Sequence, residues 1–181
     1  MKKINNFLKY ITALGVCVLI RLLPWRVPNV EPIMGTLLPI SKGFGYASGF
    51  LFGFISIIIF DSFTMFGVWT WVTAIAYGLV GLGGAWWLKN RKPSAKNFVA
   101  YSIVATLAYD FMTGPIMSSV VFKMSFMQTL IGQIPFTLWH LGGNIILAGV
   151  LSPILYKWVI SNPEFSIQGA KNLLVSRSHA K

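Results

Sequence analysis

Apolar residues run along this chain in six blocks, at about 7–23, 29–42, 43–60, 69–88, 97–122 and 127–158, divided by short polar punctuation. None shows the alternation of a half-buried strand, and most reach the roughly 20 residues a helix needs to cross a hydrocarbon core of about 30 Å. The pattern predicts an all-α integral membrane protein built as a six-transmembrane-helix bundle. The second block is the weakest. Glu31, Pro32 and Pro39 interrupt it and Ser41-Lys42-Gly43 turns it directly into the third, so a short or tilted helix is expected. The sixth is long for one crossing and holds Pro135 and Pro153, so its ends are expected to bend or to leave the hydrocarbon.

Composition agrees with the pattern. Of 181 residues, 55% are hydrophobic and only 10% charged, where an ordinary soluble domain has roughly 25% charged; the mean hydropathy is +0.69. Six spans use nearly all of the chain, giving a membrane domain over 1–160 and a cytosolic basic tail over 161–181. The single Cys17 excludes an internal disulfide and a multi-cysteine metal site, and neither metal nor cofactor is expected. The opening "MKKINNFLKYITALGVCVLI" has the basic head and apolar run of a secretory leader, but no A-x-A-like cleavage site follows, so it is read as the first span.

Charge sets the orientation. With six spans and both termini cytoplasmic, Lys2, Lys3, Lys9, Lys42, Lys89, Arg91, Lys92, Lys96, Lys157, Lys171, Arg177 and Lys181 fall inside, and Arg21, Arg26 and Lys123 fall outside. Twelve against three is the asymmetry of a multi-pass protein of the plasma membrane. It also accounts for the net charge of +11 through topology and anionic lipid, with nucleic acid not expected as a partner.

Polar residues inside the blocks carry the candidate chemistry. Gln133, Thr137, His140 and Asn144 lie at i, i+4, i+7 and i+11, one helical face spanning roughly 16 Å. Thr106, Asp110, Thr113 and Gly114 form a similar stripe in the fifth block, and Asp61 closes the third, followed by Ser62 and Thr64. An ionisable group at mid-membrane costs roughly 2.5–3.5 kcal/mol on insertion scales and usually lines a cavity or pairs with a partner; Asp110 and His140 are the obvious pair. Above them, "RLLPWRVPNVEPIMG" is a proline-stiffened loop with Arg26, Asn29 and Glu31. Arg21 and Arg26 beside Trp25 have a plain alternative reading as side chains that snorkel to headgroups. A stiff polar loop over an outward-facing polar pocket points to capture of a small solute.

Small residues recur at helix spacing: Gly45, Gly49 and Gly53 in the third block, Ala74, Gly78, Gly81 and Ala85 in the fourth, Ala13 and Cys17 in the first. Such stripes let helices approach closely, within the chain or against a partner. No H-E-x-x-H, P-loop or G-x-S-x-G occurs, so neither metalloprotease nor ATPase chemistry has a motif here.

The segment "RLLPWRVPNVEPIMG" followed by "GYASGFLFGFISIIIFD" resembles the start of the substrate-binding S components of energy-coupling-factor (ECF) transporters, where an R-x-x-P…P-N…P element precedes a glycine-rich third helix ending in an acidic residue. The resemblance covers about residues 21–61. It implies a subunit without its own motor, which binds a vitamin-like micronutrient and delivers it by toppling against a transmembrane T subunit driven by two ATPases. The family's docking motif, A-x-x-x-A in the first helix, falls on Ala13 and Cys17. Two other readings stand beside this one: an intramembrane enzyme using Asp110 and His140 as an acid/base pair, and a scaffold in which the glycine stripes hold partners.

Overall fold

The computed structural model describes residues 2–24 and 31–163, and every regular element among them is helical. The helices are α1 (Lys2–Leu22), α2 (Pro32–Phe44), α3 (Tyr46–Phe63), α4 (Val68–Leu88), α5 (Ala95–Phe111), the single turn α6 (Met117–Val120) and α7 (Phe126–Leu155). A π-helical turn at Met112–Ile116 absorbs Pro115 and joins α5 to α6; a second, Tyr156–Ile160, follows Pro153 and ends α7. The last block thus ends in a π-helical turn, and α7 runs unbroken through Pro135.

Among the described residues, five stretches are long and apolar enough to cross a bilayer: Ile4–Leu22, Tyr46–Phe63, Val68–Leu88, Ala95–Val120 and Phe126–Ile160. The second block is not among them. With 13 residues, α2 is about 20 Å long, and positions 32–41 are all buried among α1, α3, α4 and α7. This helix is the axis of the bundle. Pro39 has no N–H for the carbonyl four residues back, that of Gly35; the Ser152 hydroxyl of α7 donates to that carbonyl instead, at 2.8 Å. A Cβ on Gly35 would press on Leu147 and Leu151, so the same glycine lets α7 come close enough to make the bond.

Two lysines mark one end of the bundle. Lys9 of α1 donates to the carbonyls of Ile160, at 3.2 Å, and Asn162, at 2.6 Å. Gly43 lies against Ile160, and Lys42 donates to the carbonyls of Leu88, at 2.6 Å, and Lys89, at 3.0 Å. The start of α1 and the ends of α2, α4 and α7 therefore meet there, at the opposite end from Arg21, Glu31 and Asp61.

The glycine stripes are consumed inside the chain. A Cβ on Gly53 would strike the Tyr77 carbonyl, and one on Gly81 the Gly49 carbonyl, so α3 and α4 touch backbone to backbone. Gly45 takes no part in this packing. At φ 87° it makes the turn between α2 and α3, which sits two residues later than Gly43. Outward faces carry Phe63, Trp86, Leu138, Trp139 and Ile146, all strongly exposed, as a lipid-facing surface requires.

Candidate functional site

The site begins on α1. Its inward face repeats as Leu14, Cys17, Val18 and Arg21, every three or four residues, so the arginine in the last turn points into the bundle and is only 5% exposed. It does not snorkel. Its guanidinium forms an ion pair with Glu31 at 3.0 Å, donates to the Ser56 carbonyl at 3.4 Å and lies 3.8 Å over the Phe60 ring. Glu31 stands at the N-cap position of α2, where Pro32 opens the helix and a carboxylate suits the positive end of the helix dipole. Asp61, near the end of α3, accepts a hydrogen bond from the Thr70 hydroxyl at 2.7 Å, and Thr70 in turn accepts from the Gly67 N–H at 3.1 Å. That chain ties α3 to the first turn of α4.

Helices α5 and α7 supply the floor. Thr106 and Asp110 lie four apart on α5, His140 and Asn144 four apart on α7, and the two pairs face each other. His140 Nδ1 meets Asp110 at 2.7 Å, and Asn144 donates to Thr106 at 2.9 Å. A carboxylate accepts only, so Nδ1 is the donor toward it. His140 Nε2 then faces the Tyr77 hydroxyl at 3.5 Å. Among the described residues, the second oxygen of Asp110 and the side-chain oxygen of Asn144 meet no hydrogen-bond partner, although both side chains are buried.

These groups converge on a cavity of about 190 Å³. Arg21, Glu31, Asp61 and His140 line it, together with the aromatic rings of Trp69, Tyr77, Tyr109 and Phe136. Tyr77 and Tyr109 lie 4.3 Å apart between ring centroids, and Tyr109 and Phe136 flank the His140 ring at 5.8 and 5.5 Å. The result is a mixed wall in which the charged groups come from α1, the start of α2 and the end of α3, and the aromatic rings from α4, α5 and α7.

The structure divides the expected site residues into groups. Glu31, Asp61 and His140 line the cavity, Asp110 stands behind His140, and Asn144 lies beneath against Thr106. Gln133 is elsewhere. It packs on Gly114 in a separate groove of about 220 Å³, which Asp110 and Thr137 also line and where Leu107, Phe111, Leu130 and Leu138 dominate the walls. A stripe about 16 Å long is too long for one cavity of this size, so its members meet different neighbours at different heights. Arg26 and Asn29 fall outside the described residues.

The α1 stripe also needs correction. Cys17 is 1% exposed in the core and Ala13 packs against the same cluster, whereas Ile4, Phe7, Ile11 and Leu19 point outward. The pair therefore faces its own bundle. Sequence reasoning missed Arg21 as a site residue, and Tyr77, Tyr109, Trp69 and Phe136 altogether.

No protein-family model matches this chain, and no curated protein or solved structure matches it.

Proposed function

We propose that the chain is the solute-binding membrane subunit of an ECF-type transporter. In this reading it takes a vitamin-like micronutrient from outside the cell and hands it to a T subunit coupled to two ATPases. The observation that carries the reading is the convergence of an ion pair, a further carboxylate, a histidine and four aromatic rings on one cavity in an otherwise apolar bundle. Few convergent polar groups in an apolar site are what fix the orientation of a small ligand.

The orientation belongs to the same proposal. Six spans, with the short α2 enclosed by α1, α3, α4 and α7, put both termini in the cytoplasm of a plasma-membrane protein. Lys9, Lys42, Lys89, Arg91, Lys92, Lys96 and Lys157 then face the cytoplasm and the cavity opens outward. A catalytic use of Asp110 and His140 has less support. The Thr73 hydroxyl of the cavity wall is engaged with the carbonyls of Trp69, at 2.9 Å, and Thr70, at 3.1 Å.

Affinity purification from the native membrane is the test. Co-isolation of a membrane subunit with two ATPases is expected, and cysteines placed at Ser62 and Ser94 in a Cys17→Ala background should label from the outside and the cytoplasm respectively. Purification without any ATPase, or Ser62→Cys labelled from the cytoplasm, overturns the transporter reading or its orientation.

A further inference from the structure

We propose that the solute is a small cation built on a single planar ring, with its positive charge against Asp61 and its ring among Trp69, Tyr77 and Tyr109. The inference rests on the solute-binding reading above and assigns the chemical class of what is bound.

Charge is the first argument. Among the described residues at the cavity, Arg21 contributes +1 and Glu31 and Asp61 contribute −1 each, which sums to −1. The carboxylates therefore outnumber the guanidinium among the described residues that line the cavity. The charges are also matched unevenly. Arg21 is engaged with Glu31, the Ser56 carbonyl and the Phe60 ring, so an anionic solute has to compete with a carboxylate already in place at 3.0 Å. Asp61 has a neutral partner only, the Thr70 hydroxyl, and no cation lies within ion-pair distance of it among the described residues. A partly buried carboxylate with no cation beside it among the described residues offers a cationic ligand an ion pair at the mouth of the bundle.

The aromatic rings are the second, independent argument. Trp69, Tyr77, Tyr109 and Phe136 present π-faces and edges to one space, and π-faces attract cations. Volume is the third. A cavity of 150 Å³ takes one benzene, so about 190 Å³ holds one ring with a short charged arm. Asp61 has an ordinary structural role as well, since it ties α3 to α4 through Thr70, and the test has to separate the two.

Three ring-sized probes of different charge do so: benzylammonium, benzyl alcohol and benzoate, titrated calorimetrically into the purified full chain. Benzylammonium should bind about tenfold more tightly than benzyl alcohol, with benzoate weakest. Asp61→Asn should bring the cation to within about threefold of the alcohol, a collapse of the ratio between the two that a merely structural loss, weakening both alike, would not give. Tyr109→Leu, which leaves the α3–α4 tie alone, should weaken both. Benzoate binding most tightly, or an unchanged cation preference in Asp61→Asn, overturns the assignment while the solute-binding reading stands. If none of the probes binds, mass spectrometry of molecules carried through purification decides. A retained cation with a planar ring supports the class, a retained anion or neutral molecule overturns the class alone, and no retained molecule overturns both readings.

Discussion

At the end of the bundle where the chain begins, cations are spent on helix ends. Lys42 donates to the last carbonyls of α4, Lys9 to those closing the final helix, and Arg91 stacks 3.7 Å over Trp87 while bonding its carbonyl at 3.3 Å. Each neutralises the negative end of a helix dipole and satisfies acceptors the helix leaves open. At the other end Arg21, Glu31 and Asp61 face one another and a histidine across a cavity. Cations at helix C-termini describe any well-capped membrane bundle. Opposed charges and aromatic rings around one cavity need a further reason, and the proposed solute supplies it.

The comparison can be broken most sharply at Arg21. Arg21→Met removes the buried guanidinium that pairs with Glu31 and should cost about 2 kcal/mol in thermal or denaturant unfolding, together with loss of solute binding. Adding Glu31→Gln should recover part of the stability and none of the binding, because the carboxylate is neutralised but the site is not rebuilt. Recovery of both would make the ion pair purely structural.

A smaller effect is expected beneath the cavity. Asp110→Ala removes the carboxylate that holds His140 at 2.7 Å and should cost about 1–3 kcal/mol. Solute affinity should fall because the imidazole loses its fixed orientation against Tyr77. Unchanged affinity in a folded variant would separate Asp110 from the site.

At the basic end Lys42→Ala should cost about 1 kcal/mol through two lost hydrogen bonds to α4 carbonyls, with solute affinity unaltered. Arg91→Ala, exposed and beyond the helix, should stay within about 0.5 kcal/mol. Solute affinity that falls in either variant as far as in Asp110→Ala would erase the distinction between the two ends.

The parts legible in the sequence were those with contrast. Asp110 and His140 stand out in apolar runs, and the four-residue spacing to Thr106 and Asn144 places them on facing stripes, so their pairing could be read without coordinates. A short, proline-interrupted second helix was equally visible, although its enclosure at the centre of the bundle was not. Arg21 was read by its neighbours Trp25 and Arg26 as interfacial. The signal that placed it inside was its register with Leu14, Cys17 and Val18 on one helical face. Tyr77 and Tyr109 gave no such signal, because an aromatic ring in an apolar helix looks the same whether it meets lipid, core or ligand. Gln133 shows the opposite error. Periodicity gives a face but not which neighbour that face meets along its length.

The central claim is that the cavity between Arg21, Asp61 and His140 holds a small solute. It is tested most directly by mass spectrometry of the small molecules released on denaturing equal amounts of folded wild-type and His140→Ala protein. One dominant molecule near one equivalent in the wild type, and less than about a tenth of that in the variant, is the predicted result. Release of the same lipid and detergent from both, with no thermal shift when a cellular metabolite pool is added back, would contradict it.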